Sequence, residues 1–161
     1  EATLVSIRRE GDYIETTLVV DLHGLKSIND AADVIGKSNA DPADDKPAYF
    51  FQWQNSVNGS FIGGTLQCVE APATGEVDVD VVVSTAGTAK YETASGGLAD
   101  VANMFVASAD LAPGLFRGAE VAEGTNLNNY YFYFTVGTSS TPTEGVYSAG
   151  KVMLKFIGKA A

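Results

Sequence analysis

The chain has 161 residues, 45% of them hydrophobic and 19% charged, with 17 glycines and a formal net charge of −10. This length fits one domain, residues 1–161, that buries roughly 70% of its unfolded surface, and the composition excludes a disordered chain. The acidic balance argues against nucleic-acid binding, which depends on Lys and Arg displacing counterions from phosphates, and no apolar run approaches the roughly 18 to 20 residues of a membrane span.

The N-terminal region does not have the order of charges typical of a secretory signal. The basic pair Arg8 and Arg9 follows the short apolar run instead of preceding it, and a signal has its positive charge first. We therefore expect a protein that is made and assembled inside a cell.

The first third of the chain contains one clear strand pattern. Apolar and polar residues alternate from Tyr13 to Leu22, which predicts a strand with one wet face. The apolar spacing over Ser27–Ile35 predicts a short helical turn. The Asp- and Pro-rich segment 37–47 predicts an exposed loop.

The next segment is rich in aromatic residues and predicts a hairpin. Ala48–Gln54 is typical of a strand, and Asn58–Gly59 is typical of a tight hairpin turn. The Gly63–Gly64 pair in the partner strand predicts a bulge or the close approach of another backbone, and we also expect an aromatic partner to lie over these glycines.

The central segment predicts two strands joined by a turn. Phe61–Val69 forms the first strand, Pro72–Gly75 the turn, and Val77–Val83 the second strand. Asp78 and Asp80 alternate with valines in the second strand, so we expect both carboxylates on its solvent face.

The last third predicts one helix and two strands. Apolar residues recur at intervals of three and four over 98–111, the best helical period in the chain. Tyr130–Val136 is apolar on both faces and predicts a central or partner-covered strand. Lys151–Lys159 alternates and predicts a final strand.

These elements define the predicted fold class. Several short strands, many turn glycines and one good helix predict a mainly β protein, an antiparallel β-sandwich or jelly-roll-like barrel with one short helical insertion.

Few residues are candidates for chemistry. His23 is the sole histidine and Cys68 the sole cysteine, and we expect a turn histidine and a buried strand cysteine. Asp78 and Asp80 share a strand face and are the candidate pair for a calcium ion, although Asp-Val-Asp is also common on wet strand faces. No cofactor motif is present, so we predict no catalytic site and no cofactor.

Aromatic residues and carboxylates leave two other functions open. Five aromatic residues could stack on sugar rings in a carbohydrate-binding or adhesin-like module, although core packing is their commoner use: Tyr49, Phe51, Trp53, Tyr131 and Tyr133. An acid/base hydrolase could use Glu70 with Asp78 or Asp80, but nothing in the sequence specifies their separation.

Two blocks of sequence carry a resemblance. The segments 66–80 (LQCVEAPATGEVDVD) and 147–158 (YSAGKVMLKFIG) resemble small virion structural proteins of marine tailed phages, particularly cyanophages. These motifs are turn-and-strand patterns, and the resemblance covers about a fifth of the chain. It implies a non-enzymatic head decoration or cement protein with no catalytic residues.

The resemblance also implies location and partners. We expect the protein on the outer capsid surface of the virion after assembly in the host cytoplasm, bound to the major capsid protein and to its own copies, with a homotrimer as the first form to test. The interaction residues that we predict lie on the aromatic strands and the final strand: Trp53, Tyr131, Tyr133, Lys151 and Lys155.

Overall fold

The computed structural model describes residues 2–38, 45–106, 109–138 and 141–161. Within these ranges the fold is mainly β, with one short helix, α1 (Asn55–Asn58), and a single 3-10 turn at Ser95–Gly97. The strands are β1 (Ala2–Glu10), β2 (Tyr13–Asp21), β3 (Lys26–Ser27), β4 (Phe51–Gln52), β5 (Ser60–Ala73), β6 (Val79–Ser84), β7 (Ala102–Phe105), β8 (Phe116–Gly118), β9 (Tyr131–Val136), β10 (Gly145–Val146) and β11 (Ala149–Lys159).

Two main antiparallel sheets form the fold. One has five strands in the order β1-β2-β11-β5-β8, and the other has four in the order β4-β9-β6-β7. A small two-stranded sheet pairs β10 with β3. Among the described residues neither main sheet closes into a barrel, so the predicted antiparallel, sandwich-like β fold is confirmed in its open form.

The alternating patterns of β2 and β11 explain the inner face of the five-stranded sheet. Leu154 of β11 lies opposite Leu18 of β2 and Leu66 of β5, and all three are fully buried. The opposite face of β11 carries its lysines, which are half-buried or exposed. The strands predicted over Tyr13–Leu22 and Lys151–Lys159 are therefore confirmed.

Aromatic rings fill the space between the sheets. The Phe156 ring lies 5.3 Å from Phe132, 5.7 Å from Trp53 and 5.8 Å from Phe105, measured between ring centroids. The contacts with Phe132 and Trp53 are edge-to-face, an arrangement that adds to the free energy of area burial, so Phe156 ties its sheet to the four-stranded one.

The four-stranded sheet is covered on its outer face as well. Tyr133, Val82 and Val34 form a second buried cluster with Ala89, where the segment between β6 and β7 folds back over the sheet. Strand β9 is consequently buried on both faces, as the prediction of a central strand at Tyr130–Val136 required.

The Gly63–Gly64 pair fits its predicted role. A Cβ atom built on Gly64 would lie 2.5 Å from the Phe156 ring, whereas one built on Gly63 would meet nothing within 4 Å. The pairing of β5 with β11 also shifts register next to Gly63. Both the close aromatic approach and the irregular pairing are therefore confirmed.

Two predicted helices are wrong. The segment 98–111 contains strand β7, which pairs with β6 because the paired backbone and the buried side chains of Met104 and Phe105 outweigh the local three- and four-residue spacing. The segment Ser27–Ile35 contains the end of β3 and bridges from Asp33 to Ala94 and from Val34 to Thr135.

The hairpin turn predicted at Asn58–Gly59 is also wrong, because Asn58 ends helix α1. Its buried side chain donates a hydrogen bond to Thr16 Oγ1 (2.9 Å) and accepts one from the Gln54 amide (3.0 Å). Gly59 then reverses the chain with φ 78°, the left-handed region that glycine tolerates.

The predicted exposed loop 37–47 lies partly outside the described residues, which resume at Asp45. Lys46 and Pro47 are exposed, and Asp45 forms an ion pair with Lys90 at 2.8 Å.

Candidate functional site

Arg117 is a buried basic residue that lies between the two main sheets. It is the middle residue of the edge strand β8 and lies opposite the buried Leu66, so its side chain points between the sheets while Phe116 and Gly118 face solvent. Arg117 is only 6% exposed.

The guanidinium bonds to strand β6 of the other sheet. Nη1 donates to the Val79 carbonyl at 2.9 Å and to Asp80 Oδ1 at 3.3 Å, and Nη2 donates to the Ala109 carbonyl. Strand β7 pairs with β6 only from Val81 onward. The Val79 carbonyl lies beyond the part of β6 that pairs with β7. Arg117 donates a hydrogen bond to this carbonyl, which would be destabilising if it were buried without one.

The expectation that Asp78 and Asp80 face solvent is wrong. They are 1% and 4% exposed, and Arg117 Nη2 lies 3.8 Å from Asp78 Oδ1. A Cβ atom on Gly137 would overlap the Asp78 carboxylate, so the absence of a side chain at Gly137 makes room for it. The guanidinium supplies positive charge to this carboxylate pair, whose role as a cation site stays a prediction.

Glu76 is a second buried carboxylate with a separate set of contacts. Oε1 accepts a hydrogen bond from the Asp78 amide (2.9 Å) and Oε2 one from the Thr143 amide (2.6 Å). The Glu76 amide donates to Ser27 Oγ (2.9 Å), and the Tyr147 hydroxyl donates to the Glu76 carbonyl (2.7 Å). Glu76 thus ties the small β3–β10 sheet to the start of β6.

The remaining candidates for chemistry lie apart from this cluster. Cys68 is a buried free thiol, and burial raises its pKa, which disfavours the reactive thiolate. His23 is exposed in a turn, where its amide donates to Asp21 Oδ1 at 2.9 Å. Within the described ranges, no three His, Cys, Asp or Glu residues are grouped to hold a metal ion.

A shallow groove of about 460 Å³ runs between β7 and the segment 120–125. Its titratable lining residue is Glu120, and Glu120 Oε1 already accepts a hydrogen bond from the Val106 amide (3.0 Å). The groove therefore brings no second reactive group to this carboxylate.

Two of the predicted interaction residues lie in the interior. Trp53 is fully buried and its indole donates to the Gly59 carbonyl at 3.0 Å. Tyr133 is also fully buried, and its hydroxyl donates to the Ala86 carbonyl at 2.5 Å. Neither side chain gives surface to a partner. Tyr131 is half-buried, with its ring 4.8 Å from that of the exposed Tyr49.

Lys151 and Lys155 lie on the outer face of the five-stranded sheet, beside a line of side chains that we call the outer row. The outer row crosses four paired strands and consists of Val19, Met153, Gln67 and Phe116. The two lysines flank Met153 along β11, and Lys151 Nζ lies 3.9 Å from Asp21. Phe116 is 61% exposed, and Val69, two residues beyond Gln67, is 49% exposed.

Sequence reasoning missed two features of the surface. Phe116 lies on the three-residue strand β8, and only the pairing of β8 with β5 places it in the outer row. The alternation of Val5 and Ile7 with polar residues was a usable signal for strand β1, but its exposed position depends on the sheet order.

Comparisons of the chain with protein-family models, with curated proteins and with solved structures find no match. In the part of the chain that the structure describes, no helix has the length and apolarity needed to cross a membrane.

Proposed function

We propose that the chain is a non-enzymatic virion structural protein, a decoration or cement protein that binds the outer head shell through the major capsid protein and also binds its own copies. The outer row is the observation that carries this proposal. It places the exposed Phe116 in line with the half-buried Val19 and Met153, across a sheet whose other face already covers the core, and apolar surface patches mark interaction sites.

The composition of the surface around the outer row supports a protein partner. Phe116 is a large aromatic side chain of the kind that anchors interfaces, and Lys151 and Lys155 lend positive charge to a chain of net charge −10. An acidic patch on the shell would complement these lysines. The two sequence blocks that resemble cyanophage virion proteins contribute Gln67, Val69 and Met153 to the same surface.

The test is rebinding of the purified protein to phage heads that have been stripped of it, measured by co-sedimentation and negative-stain imaging. Phe116→Ser and Met153→Ser should each weaken binding at least several-fold. Val146→Ser is the matched control, because Val146 is 53% exposed but lies on β10, away from the outer row, and it should bind like the wild type. Equal binding by all variants would refute the outer row as the docking face.

The self-association part of the proposal is tested by the mass of the purified protein, with a homotrimer as the first form to look for. A strictly monomeric protein that does not bind heads would contradict the whole proposal.

A carbohydrate-binding or adhesin-like module on a tail fibre or cell surface is the second candidate. It rests on Tyr49, which is 39% exposed and contacts the ring of Tyr131. The burial of Trp53 and Tyr133 leaves this face with few rings to stack on sugars. Binding on a glycan array that is lost in Tyr49→Ala would favour this candidate over capsid decoration.

A further inference from the structure

Strand β1 is a long edge strand with regular pairing. All nine residues of Ala2–Glu10 pair with β2 without a register shift, and β1 is the first strand in the order of its sheet. No strand of the described chain pairs with its other edge. A straight edge of this length is a template for pairing with another strand.

The core-facing side of β1 is uncovered. Val5 lies opposite Leu18 and Ile7 opposite Thr16, and both of these β2 residues are fully buried, so Val5 and Ile7 continue the inner face of the sheet. Yet they are 51% and 46% exposed. The apolar inner surface therefore extends one strand beyond the material that covers it.

We infer that β1 pairs antiparallel with β1 of a second copy of this chain, with Ser6 opposite Ser6 at the two-fold axis. This register places Val5 of one copy opposite Ile7 of the other, twice, so that the exposed apolar side chains form cross-strand pairs. The inference deepens the proposed function, because it rests on the binding between copies proposed there and names one surface through which copies, or trimers of them, would pair.

Charge favours this edge and this register. Two copies of a chain with net charge −10 repel each other, but strand β1 itself carries two basic residues and one acidic residue, Arg8, Arg9 and Glu10. With Ser6 at the centre, Arg9 lies opposite Thr3 of the second copy, so the two Arg9 residues are about 20 Å apart along the ladder. A register centred on Arg9 would bring them face to face.

The area of the contact is small for a stable dimer. Nine residues of strand span about 30 Å, and a sheet layer is about 10 Å thick, so each copy buries of the order of 300 Å². Stable dimers bury about 800 Å² per partner. We therefore expect weak pairing that becomes populated when copies are concentrated on a shell. Because the contact is two-fold, it would join neighbouring trimers in a trimeric assembly.

Cysteine cross-linking tests the register. Directly opposite residues bring their Cβ atoms within about 5.5 Å, which suits disulfide formation best at pairs without mutual hydrogen bonds. In an antiparallel ladder, pairs with and without mutual hydrogen bonds alternate along the strands. The Ser6–Ser6 pair and the neighbouring Val5–Ile7 pairs are therefore of opposite kinds, so one of the two kinds has the favourable geometry. Cys68 is buried and leaves the background low.

The experiment uses the full chain at high concentration under mild oxidation, read on non-reducing gels. Either Ser6→Cys should form covalent dimers, or a mixture of Val5→Cys and Ile7→Cys should cross-link several-fold more than either variant alone. The control is Ala112→Cys, at an exposed position just before β8, the strand at the opposite edge of the same sheet. The inference is overturned if Ser6→Cys does not cross-link above this control and the mixture of Val5→Cys and Ile7→Cys does not cross-link more than either variant alone.

Sedimentation and head binding separate this inference from the proposed function. Ile7→Lys should abolish weak self-association of the wild type but retain single-copy binding to heads, which depends on Phe116. If Ile7→Lys associates beyond a trimer with the same concentration dependence as the wild type, the β1 contact is overturned and the proposed function stands. A wild type that stays monomeric at all attainable concentrations overturns the inference, and loss of head binding contradicts the proposed function separately.

Discussion

Arg117 and Asp80 form a buried ion pair between the two sheets, with an N–O distance of 3.3 Å and neither side chain more than 6% exposed. The same guanidinium bonds to the Val79 carbonyl, so it serves the backbone of β6 as well as a carboxylate. Buried charges of this kind are destabilising unless every partner is present. The pair therefore fixes the position of β8 relative to the first residues of β6.

Arg117→Met should destabilise the protein by about 3 to 5 kcal/mol, because it leaves the Asp78 and Asp80 carboxylates buried without their guanidinium. Urea unfolding followed by intrinsic fluorescence measures the change. Arg8→Met is the control, since the Arg8 side chain is 73% exposed beside Glu10, and it should change stability by no more than about 0.5 kcal/mol.

The double variant Arg117→Met/Asp80→Asn makes this test specific. If the two groups act as a pair, the double variant loses clearly less free energy of unfolding than the sum of the single variants. Additive losses would contradict the ion pair.

Glu76→Gln should cost about 2 kcal/mol. Both carboxylate oxygens accept hydrogen bonds from backbone amides, and the substitution turns one acceptor into a donor that faces another donor. Glu70→Gln, at an exposed position on β5, should have a negligible effect in the same urea titration. A similar loss in both variants would show that Glu76 has no special role.

A strand could be predicted from the sequence where its own residues alternate between buried apolar positions and more exposed ones. Leu18, Val20, Val152 and Leu154 alternate with polar or half-buried residues, and the period of two appears directly in the sequence. The aromatic content of Tyr130–Val136 likewise predicted a strand buried on both faces. Sheet order and the uncovered face of β1 depend on long-range pairing, which no local pattern specifies.

The environment of Asp78 and Asp80 could not be predicted for the same reason. An Asp-Val-Asp pattern looks the same on a wet face and on a face covered by a partner, and the partner Arg117 comes 37 residues after Asp80. The false helix over 98–111 has a related cause, because pairing of β7 with β6 overrides its local period.

The two adjacent glycines of β5 provide a matched pair of substitutions. Gly64→Ala should destabilise the protein by about 1 to 3 kcal/mol, because its Cβ would lie 2.5 Å from the Phe156 ring and overpacking strains the core. Gly63→Ala has open space and should be neutral or slightly stabilising. Thermal melts of both variants measure the difference, and equal melting temperatures would contradict the close approach of Phe156.

Tyr133 should make stability depend on pH in the alkaline range. Burial raises the pKa of Tyr133 from 10.0 to about 12, and burial also raises the pKa of Tyr147. The unfolded chain then loses the Tyr133 proton near pH 10 while the folded chain keeps it. The contribution is therefore fully present below pH 10 and is lost as the pH rises toward 12, by an amount of the order of 2 kcal/mol.

Urea unfolding at several pH values between 8 and 11 measures this loss. Tyr133→Phe should reduce the fall in the free energy of unfolding at alkaline pH, although Tyr147 keeps part of that fall. The variant should also be less stable at pH 8 by about 1 kcal/mol, because it loses the hydrogen bond to the Ala86 carbonyl. Tyr13→Phe, at a side chain that is 54% exposed, should retain the wild-type fall. If stability falls with pH in Tyr133→Phe as steeply as in the wild type, the Tyr133 hydroxyl ionises as readily in the folded chain as in the unfolded one. That result would contradict the effect expected from its burial between β9 and the segment that covers it.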